Sequence, residues 1–203
     1  MKKNAIRIVG GQYRRTPIPV VDATSLRPTP DRVRETLFNW LRYFWADNFS
    51  NKRVLDLFAG TGALGFEAAS HGVEFVQMVE KNPDAVNALR ALRNKLQATQ
   101  VRIHAGNALH VLERADRPFD LIFLDPPFHQ GWLDKIWDQL PAILSPDALI
   151  YVESESPISV PANLSSLRQQ KAGHVHFQLL EFAATTKTDN NAGNTLHSAS
   201  PPQ

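Results

Sequence analysis

Val54-Leu55-Asp56-Leu57-Phe58-Ala59-Gly60-Thr61-Gly62-Ala63-Leu64-Gly65 decides the fold. A short apolar run ends in glycines, and an apolar helical segment near 63–71 follows. Gly60, Gly62 and Gly65 fit G-x-G-x-x-G between a strand and a helix. Glycines there permit a tight turn and close approach of the backbone to a ligand. Glu80 ends the next apolar run, twenty positions after Gly60, where an acid meets ribose hydroxyls in nucleotide-type sites. A glycine-rich turn with no ligand would not need that acid.

Outward from this loop the same alternation repeats. The apolar runs Val54–Phe58, Phe75–Val79, Val101–His104, Leu121–Leu124 and Ala148–Val152 alternate with helical segments near 63–71, 83–97, 107–115 and 131–141. That order predicts βαβ units and a parallel sheet covered on both faces. Leu164–Lys171 and Val175–Phe182 flank Ala172-Gly173-His174 and read as a closing antiparallel hairpin. Upstream, 5–21 reads as a small hairpin turning at Gly10-Gly11. Thr29-Pro30 reads as an N-cap and first helical residue. Val33, Leu37, Trp40, Leu41 and Phe44 then mark an amphipathic helix over 30–46. The predicted organisation is a basic extension over 1–50, an α/β domain over 51–183 and a disordered tail over 184–203, whose composition is polar.

Three ligand classes compete for the glycine loop. A P-loop needs Lys after its last glycine, and here Phe66 follows Gly65. A dinucleotide would bring a pyrophosphate to the helix N-terminus. Asp56, near the end of the strand, points toward the same loop, and a carboxylate is unwelcome beside phosphates. It suits a cation. S-adenosylmethionine has a sulfonium, an ammonium and no phosphate, so it is favoured over NAD.

A second constellation decides the reaction. Phe119-Asp120-Leu121-Ile122-Phe123-Leu124-Asp125-Pro126-Pro127-Phe128 is a strand ending in Asp-Pro-Pro-Phe, beside the ligand crevice of an open α/β sheet. The two prolines fix the backbone and remove two N–H donors. What remains are acceptors, the Asp125 carboxylate and carbonyls, which can hold an exocyclic NH2. Phe128 offers a face on which an extruded base can stack. The amine of a base is a poor nucleophile because its lone pair is delocalised. Acceptors on its protons localise that lone pair, and direct displacement at a sulfonium methyl then needs mainly positioning and desolvation. No metal is required. His174 and His176 share a strand face without a third ligand at suitable spacing, and Glu153 and Glu155 read as caps of the sheet.

The 203 residues carry a net charge of only +2. That average hides an asymmetry: eleven basic and four acidic residues fall between Met1 and Arg53, and the remaining 150 residues carry a net −5. A basic N-terminal quarter on an acidic body is the charge footprint of a polyanion binder. The chain has no cysteine, which excludes disulfides, thiolate metal sites and a thiol nucleophile. No apolar run reaches the ~18 residues of a membrane span, and no signal peptide is read at Lys2-Lys3. A cytoplasmic monomer is expected.

These motifs resemble the class I S-adenosylmethionine-dependent methyltransferases that act on exocyclic amines. With Arg7-Ile8-Val9-Gly10-Gly11 and Arg27-Pro28-Thr29-Pro30-Asp31-Arg32-Val33-Arg34-Glu35, the chain is more narrowly similar, over roughly 5–182, to the bacterial 16S rRNA guanine-N2 methyltransferases of the RsmD type. The resemblance implies a Rossmann-like, mostly parallel seven-stranded sheet with an antiparallel C-terminal hairpin and a small N-terminal hairpin and helix. It implies methylation of N2 of guanine 966 in 16S rRNA, on the small ribosomal subunit or its assembly intermediate. It places the cofactor against Asp56, Phe58, Gly60, Thr61, Gly62, Glu80, Asn107 and Ala108. Asp125, Pro126 and Phe128 would hold the flipped base, and Arg14, Arg15, Arg27, Arg32 and Arg34 would grip RNA. Phe128 stands where Tyr is common, so stacking is kept and a hydroxyl is lost. Two other readings stay open: methylation of another amine, such as adenine N6 or a glutamine side chain, and a non-catalytic RNA-binding assembly factor with the same fold. Adenine and glutamine enzymes usually carry Asn before Pro-Pro.

Overall fold

The computed structural model describes residues 6–21, 29–113, 117–127 and 130–183. Arg27, Phe128 and the whole 184–203 segment lie outside the described residues, so the roles expected of them are not addressed by the structure.

Two short strands, β1 (Ile6–Arg7) and β2 (Pro17–Ile18), pair antiparallel and precede helix α1 (Asp31–Phe44). The alternating part follows as β3 (Arg53–Asp56), α2 (Ala63–Ser70), β4 (Phe75–Glu80), α3 (Pro83–Leu96), β5 (Val101–Ala105), α4 (Ala108–Leu112) and β6 (Phe119–Leu124). Helix α5 (Trp132–Ile136) and a 3-10 turn (Trp137–Ala142) lead to β7 (Leu144–Ser154), β8 (Leu164–Ala172) and β9 (Val175–Phe182). The expected helix over 131–141 is therefore split. Pro141, which can donate no backbone hydrogen bond, sits inside the tighter second half. The helix expected over 107–115 is described only for Ala108–Leu112.

The main sheet has seven strands in the order β5-β4-β3-β6-β7-β9-β8. Pairs from β5 to β7 are parallel, and β9 is antiparallel to both β7 and β8, as the sequence predicts. Alternate residues of each central strand feed opposite layers. Val54, Leu121, Leu149 and Tyr151 pack with α1, α2 and α3, whereas Leu55, Ile122, Ile150 and Val152 pack with α4, α5 and the 3-10 turn. This is the period-two pattern of a sheet buried on both faces.

The N-terminal segment is part of the first layer. Ile6, Ile8 and Ile18 are buried with Val33, Leu37, Phe38 and Leu41 in the core that contains Phe66 and Phe123. Every residue of α2 is buried, which fits a helix apolar nearly all round. Its one acid, Glu67, accepts the amides of Val9 at 2.9 Å and Gly10 at 2.6 Å. At the C-terminal end of α2, Ser70 takes the amides of Gln12 and Tyr13 and donates to the Gly10 carbonyl. The chain passes so close that a Cβ on Gly11, whose φ is +69°, would lie 1.9 Å from the Ser70 carbonyl oxygen. Glycine is required there for both space and conformation.

Candidate active site

Strand order reverses between β3 and β6, because β3 connects outward to β4 and β5 while β6 connects the other way to β7. A crevice opens at such a switch point, outside the carboxyl ends of the strands. Four acids come from those ends: Asp56 closes β3, Glu80 closes β4, Asp125 follows β6 and Glu153 lies near the end of β7. All four line one cavity of about 470 Å³. Phe58, Gly60, Thr61, Asn107, Ala108 and Pro126 share its wall, so the structure assembles these sequence-predicted residues in one place. Gly62 starts α2 with a φ of 78° but is not part of the wall.

The glycine loop is shaped by its acids. The Asp56 carboxylate accepts the Gly65 amide at 3.0 Å, so the strand end caps the first turn of α2. A Cβ on Gly65 would sit 2.6 Å from the Met78 methyl and 2.9 Å from the Asp56 carboxylate, which explains why only glycine allows this approach. Glu80 accepts Gly60 at 2.9 Å through one oxygen and Asn82 at 2.7 Å through the other. It thus ties the loop to the end of β4. The Asn107 side chain accepts the Leu109 amide at 3.0 Å and caps α4.

These carboxyls sit in a poor place for charge. Burial, and then the neighbouring Glu80 and Glu153, push Asp56 up to about 7, against the amides of Gly65 and Phe58, which favour its anion. Asp125 is held well above the usual carboxylate range by burial, then by Glu153 and Asp56, and the Thr29 hydroxyl works the other way. Such a cavity favours a ligand that brings positive charge and hydrogen-bond donors.

Two residues given other roles in the sequence, Thr29 and Glu153, belong to this site, and Trp132 lines it with them. Thr29 is not the cap of α1. That position is taken by Pro30, and the Thr29 hydroxyl instead donates to Glu153 at 2.9 Å. Glu153 is no exposed cap of the sheet, being 3 % exposed and also accepting the Tyr151 hydroxyl at 2.9 Å. The pairing of Leu124 with Val152 is what carries Glu153 to the cavity, and it becomes visible only once strand order and register are known. Trp132 packs edge-on against Phe58, with ring centroids 5.3 Å apart.

Arg34 corrects the expected RNA-binding set. Its side chain has no exposure, and it donates to Glu67 at 3.0 Å, Asp31 at 2.6 Å, the Arg7 carbonyl at 2.8 Å and the Thr29 carbonyl at 3.3 Å. A guanidinium so occupied has nothing to offer a phosphate. It holds the β1 strand, the segment before α1, and α2 together. Arg14, Arg15 and Arg32 are exposed. Among the described residues no group of three or more His, Asp or Glu side chains could hold a metal ion, and His174 and His176 form no such site. No described helix is long and apolar enough to cross a membrane.

Comparison with known proteins agrees with this arrangement. Residues 6–181 match the family described as conserved hypothetical protein 95. Ribosomal RNA small subunit methyltransferase D of Escherichia coli is 40% identical over 189 residues, covering 91% of this chain and 93% of that protein. The Haemophilus influenzae protein of the same name is 36% identical over 187 residues, covering 88% and 95%. The solved structure of yhhF from Escherichia coli superimposes with a TM-score of 0.78 at 40% identity, covering 89% of this chain and 99% of that one.

Proposed function

The chain belongs to the ribosomal RNA small subunit methyltransferase D family, described as conserved hypothetical protein 95, and we propose that it methylates the N2 amine of guanine 966 in 16S rRNA, using S-adenosylmethionine, on the small ribosomal subunit or its assembly intermediate. The observation that carries this reading is the convergence of Asp56 and Asp125 on one cavity at the switch point of the sheet. One acid stands beside the glycine loop and the other starts the Asp-Pro-Pro turn.

The cavity fits the cofactor in size and charge. Drug-sized ligands occupy roughly 300–1,000 Å³, and the acids would balance a ligand that carries net positive charge. Asp56, Phe58, Gly60, Thr61, Glu80, Asn107 and Ala108 would hold it, with Glu80 toward the ribose hydroxyls and Asn107 toward the adenine. When bound, S-adenosylmethionine supplies an electrophilic methyl on a sulfonium. The chain's own part is to place the amine. Asp125 accepts an N–H of the base and withdraws it from conjugation, Pro126 keeps competing donors away, and Phe128 stacks on the base. The proton of the methylated amine leaves to Asp125 or water after the N–C bond forms.

The decisive experiment is transfer of labelled methyl from S-adenosylmethionine to small subunits that lack the modification, followed by mass-spectrometric mapping. A single N2-methylguanosine at position 966 is the expected result. Absence of cofactor binding would instead favour the assembly-factor reading, and cofactor binding without transfer to any RNA would favour another amine as substrate.

Two further outcomes follow from the site. Below about pH 7 Asp56 is mostly neutral, and above it mostly anionic. A cationic ligand favours the anion, so its binding lowers the pKa and releases a proton. Affinity for S-adenosylmethionine should therefore rise about tenfold from pH 6 to pH 8 and then level off. Calorimetry in buffers of different ionisation enthalpy would read the released proton, and Asp56→Asn should flatten the slope. On the RNA side, Arg14→Ala, Arg15→Ala and Arg32→Ala should each weaken subunit binding and reduce the log–log salt slope by roughly 0.7–0.9. Cofactor affinity should not change. An unaltered salt slope in all three would remove the basic segment from the RNA interface.

A further inference from the structure

Helix α1 and the closing hairpin meet on one side of the sheet. Trp40 stacks on Phe177 of β9, with ring centroids 5.4 Å apart. The Arg168 guanidinium of β8 lies 5.4 Å from the Tyr43 ring centroid and 5.2 Å from that of Phe44. At the other end both elements reach the cavity. Thr29 and Pro30, just before α1, line it, and so does Val175, which pairs with Ala172 of β8. Helix and edge strand therefore run side by side away from the cavity. Arg168 and Gln170 pair with Leu179 and Phe177, which belong to the layer of α1, so these two side chains lie on that face of β8. From Ala172 to Arg168 the strand covers about 13 Å at 3.3 Å per residue, and from Asp31 to Tyr43 the helix covers about 18 Å at 1.5 Å per residue.

Tyr43 is 72 % exposed. A single exposed aromatic is ordinary on a protein surface, but the neighbours of this one are not. Phe44 meets its ring at an interplanar angle of 89°, with centroids 5.1 Å apart, and Arg168 lies beside both rings. The ring is thus braced while most of it stays in water. The strip beside it is locally basic: residues 164–176 contain Arg168, Lys171, His174 and His176 and no acid, within a body of net −5. A protein partner would ask for a contiguous apolar patch, and Tyr43 stands instead among exposed Asn39, Arg42 and Arg168. An open aromatic ring next to a cation is how proteins hold a single nucleic-acid strand, with a base stacked on the ring and a phosphate on the guanidinium.

We propose that Tyr43 and Arg168 form a second RNA subsite, where a base of the strand flanking the methylated guanine stacks on Tyr43 and a phosphate meets Arg168. This rests on the RNA-methylating reading above and adds the path that the RNA strand takes from the cavity, along α1 and β8. At about 3.4 Å per stacked nucleotide, the subsite lies four or five nucleotides from the cavity. It is on the opposite side of α1 from the hairpin of Arg14 and Arg15, which is fastened to α2. The helix would then be gripped by RNA along both flanks.

The test uses small subunits that lack the modification. Tyr43→p-benzoylphenylalanine puts a photo-crosslinker at the subsite, and irradiation should join it to 16S rRNA within about five nucleotides of the methylated guanine. Tyr43→Ala should weaken subunit binding about 5–100-fold, the worth of one stacked base, and leave the log–log salt slope unchanged because the lost contact carries no charge. Tyr43→Trp should restore the affinity. Arg168→Ala should weaken binding and lower the salt slope by roughly 0.7, the value for one phosphate of a single strand. Affinity for S-adenosylmethionine should stay the same in all four. Both side chains are exposed, so these variants should fold. A crosslink to a ribosomal protein or to distant rRNA overturns the subsite. So does a loss in Tyr43→Ala that Tyr43→Trp does not restore, or unchanged binding by both alanine variants. In each case normal methyl transfer by the wild type leaves the function standing. Absence of wild-type transfer to the subunits overturns the function as well.

Discussion

Arg34→Ala is expected to lower the free energy of unfolding by about 3–5 kcal/mol, the range found when one partner of a buried ion pair is removed. The effect comes from what is left behind. Glu67 has no side-chain exposure, and without the guanidinium its partners among the described residues are the amides of Val9 and Gly10, with the His71 ring 3.7 Å away. The Arg7 and Thr29 carbonyls lose a donor in the same step. Urea unfolding would show a lower midpoint with an unchanged m-value. Replacing both partners by methionine should recover only part of the loss. Buried pairs can often be exchanged for apolar residues at little cost, but here the two amides would then be orphaned. A shift below about 0.5 kcal/mol, the size of an ordinary surface substitution, would contradict the description of Arg34 as a buried cross-link.

Asp125→Ala is expected to reduce kcat for methyl transfer by roughly 10²–10³-fold, the size of removing one preorganised polar contact to a reacting group. Affinity for S-adenosylmethionine should stay within about twofold, because the proposed role of Asp125 is to hold the base, while Asp56 stands at the glycine loop. A loss confined to kcat marks an interaction made in the transition state. Asp125→Asn should retain more activity than Ala, since its amide oxygen still accepts a hydrogen bond. Equal transfer by the wild type and Asp125→Ala would remove the carboxylate from the reaction.

Much of this was readable along the chain, because it rests on local rules. The alternation of apolar runs and helical segments predicts the sheet, and the glycine spacing with Glu80 twenty residues on places the loop. Asp125-Pro126-Pro127 announces itself by its restricted backbone. The failures have a common physical origin in contacts distant in sequence. Arg34 reads as an outward charge beside Val33, yet Arg34, Phe38, Leu41 and Trp45 recur at intervals of four, three and four, which puts the arginine on the buried stripe. Its partner was equally visible as the lone acid in the apolar segment Phe66-Glu67-Ala68-Ala69. Neither signal shows that the two meet, 33 positions apart. Thr29 satisfies the composition of a helix cap, but its hydroxyl is drawn to a carboxylate 124 positions away. Glu153 gains its place from strand register, which a single strand cannot reveal.

Helix α2 begins at Ala63, just after its cap Gly62 in the glycine loop, and ends at Ser70, where the hairpin that presents Arg14 and Arg15 is fastened. It is a ruler. Its 8 residues span about 12 Å at 1.5 Å each, so one inextensible rod separates the two grips proposed for RNA backbone and methyl donor. Inserting a single residue into it would lengthen the rod by only about 1.5 Å but turn its far end by about 100°. Glu67 and Ser70 would swing away from the hairpin, and the protein would misjudge the reach from phosphate to base. Variation in RNA targets among relatives should therefore arise in the hairpin and the turns around the cavity, with the length of this helix held constant.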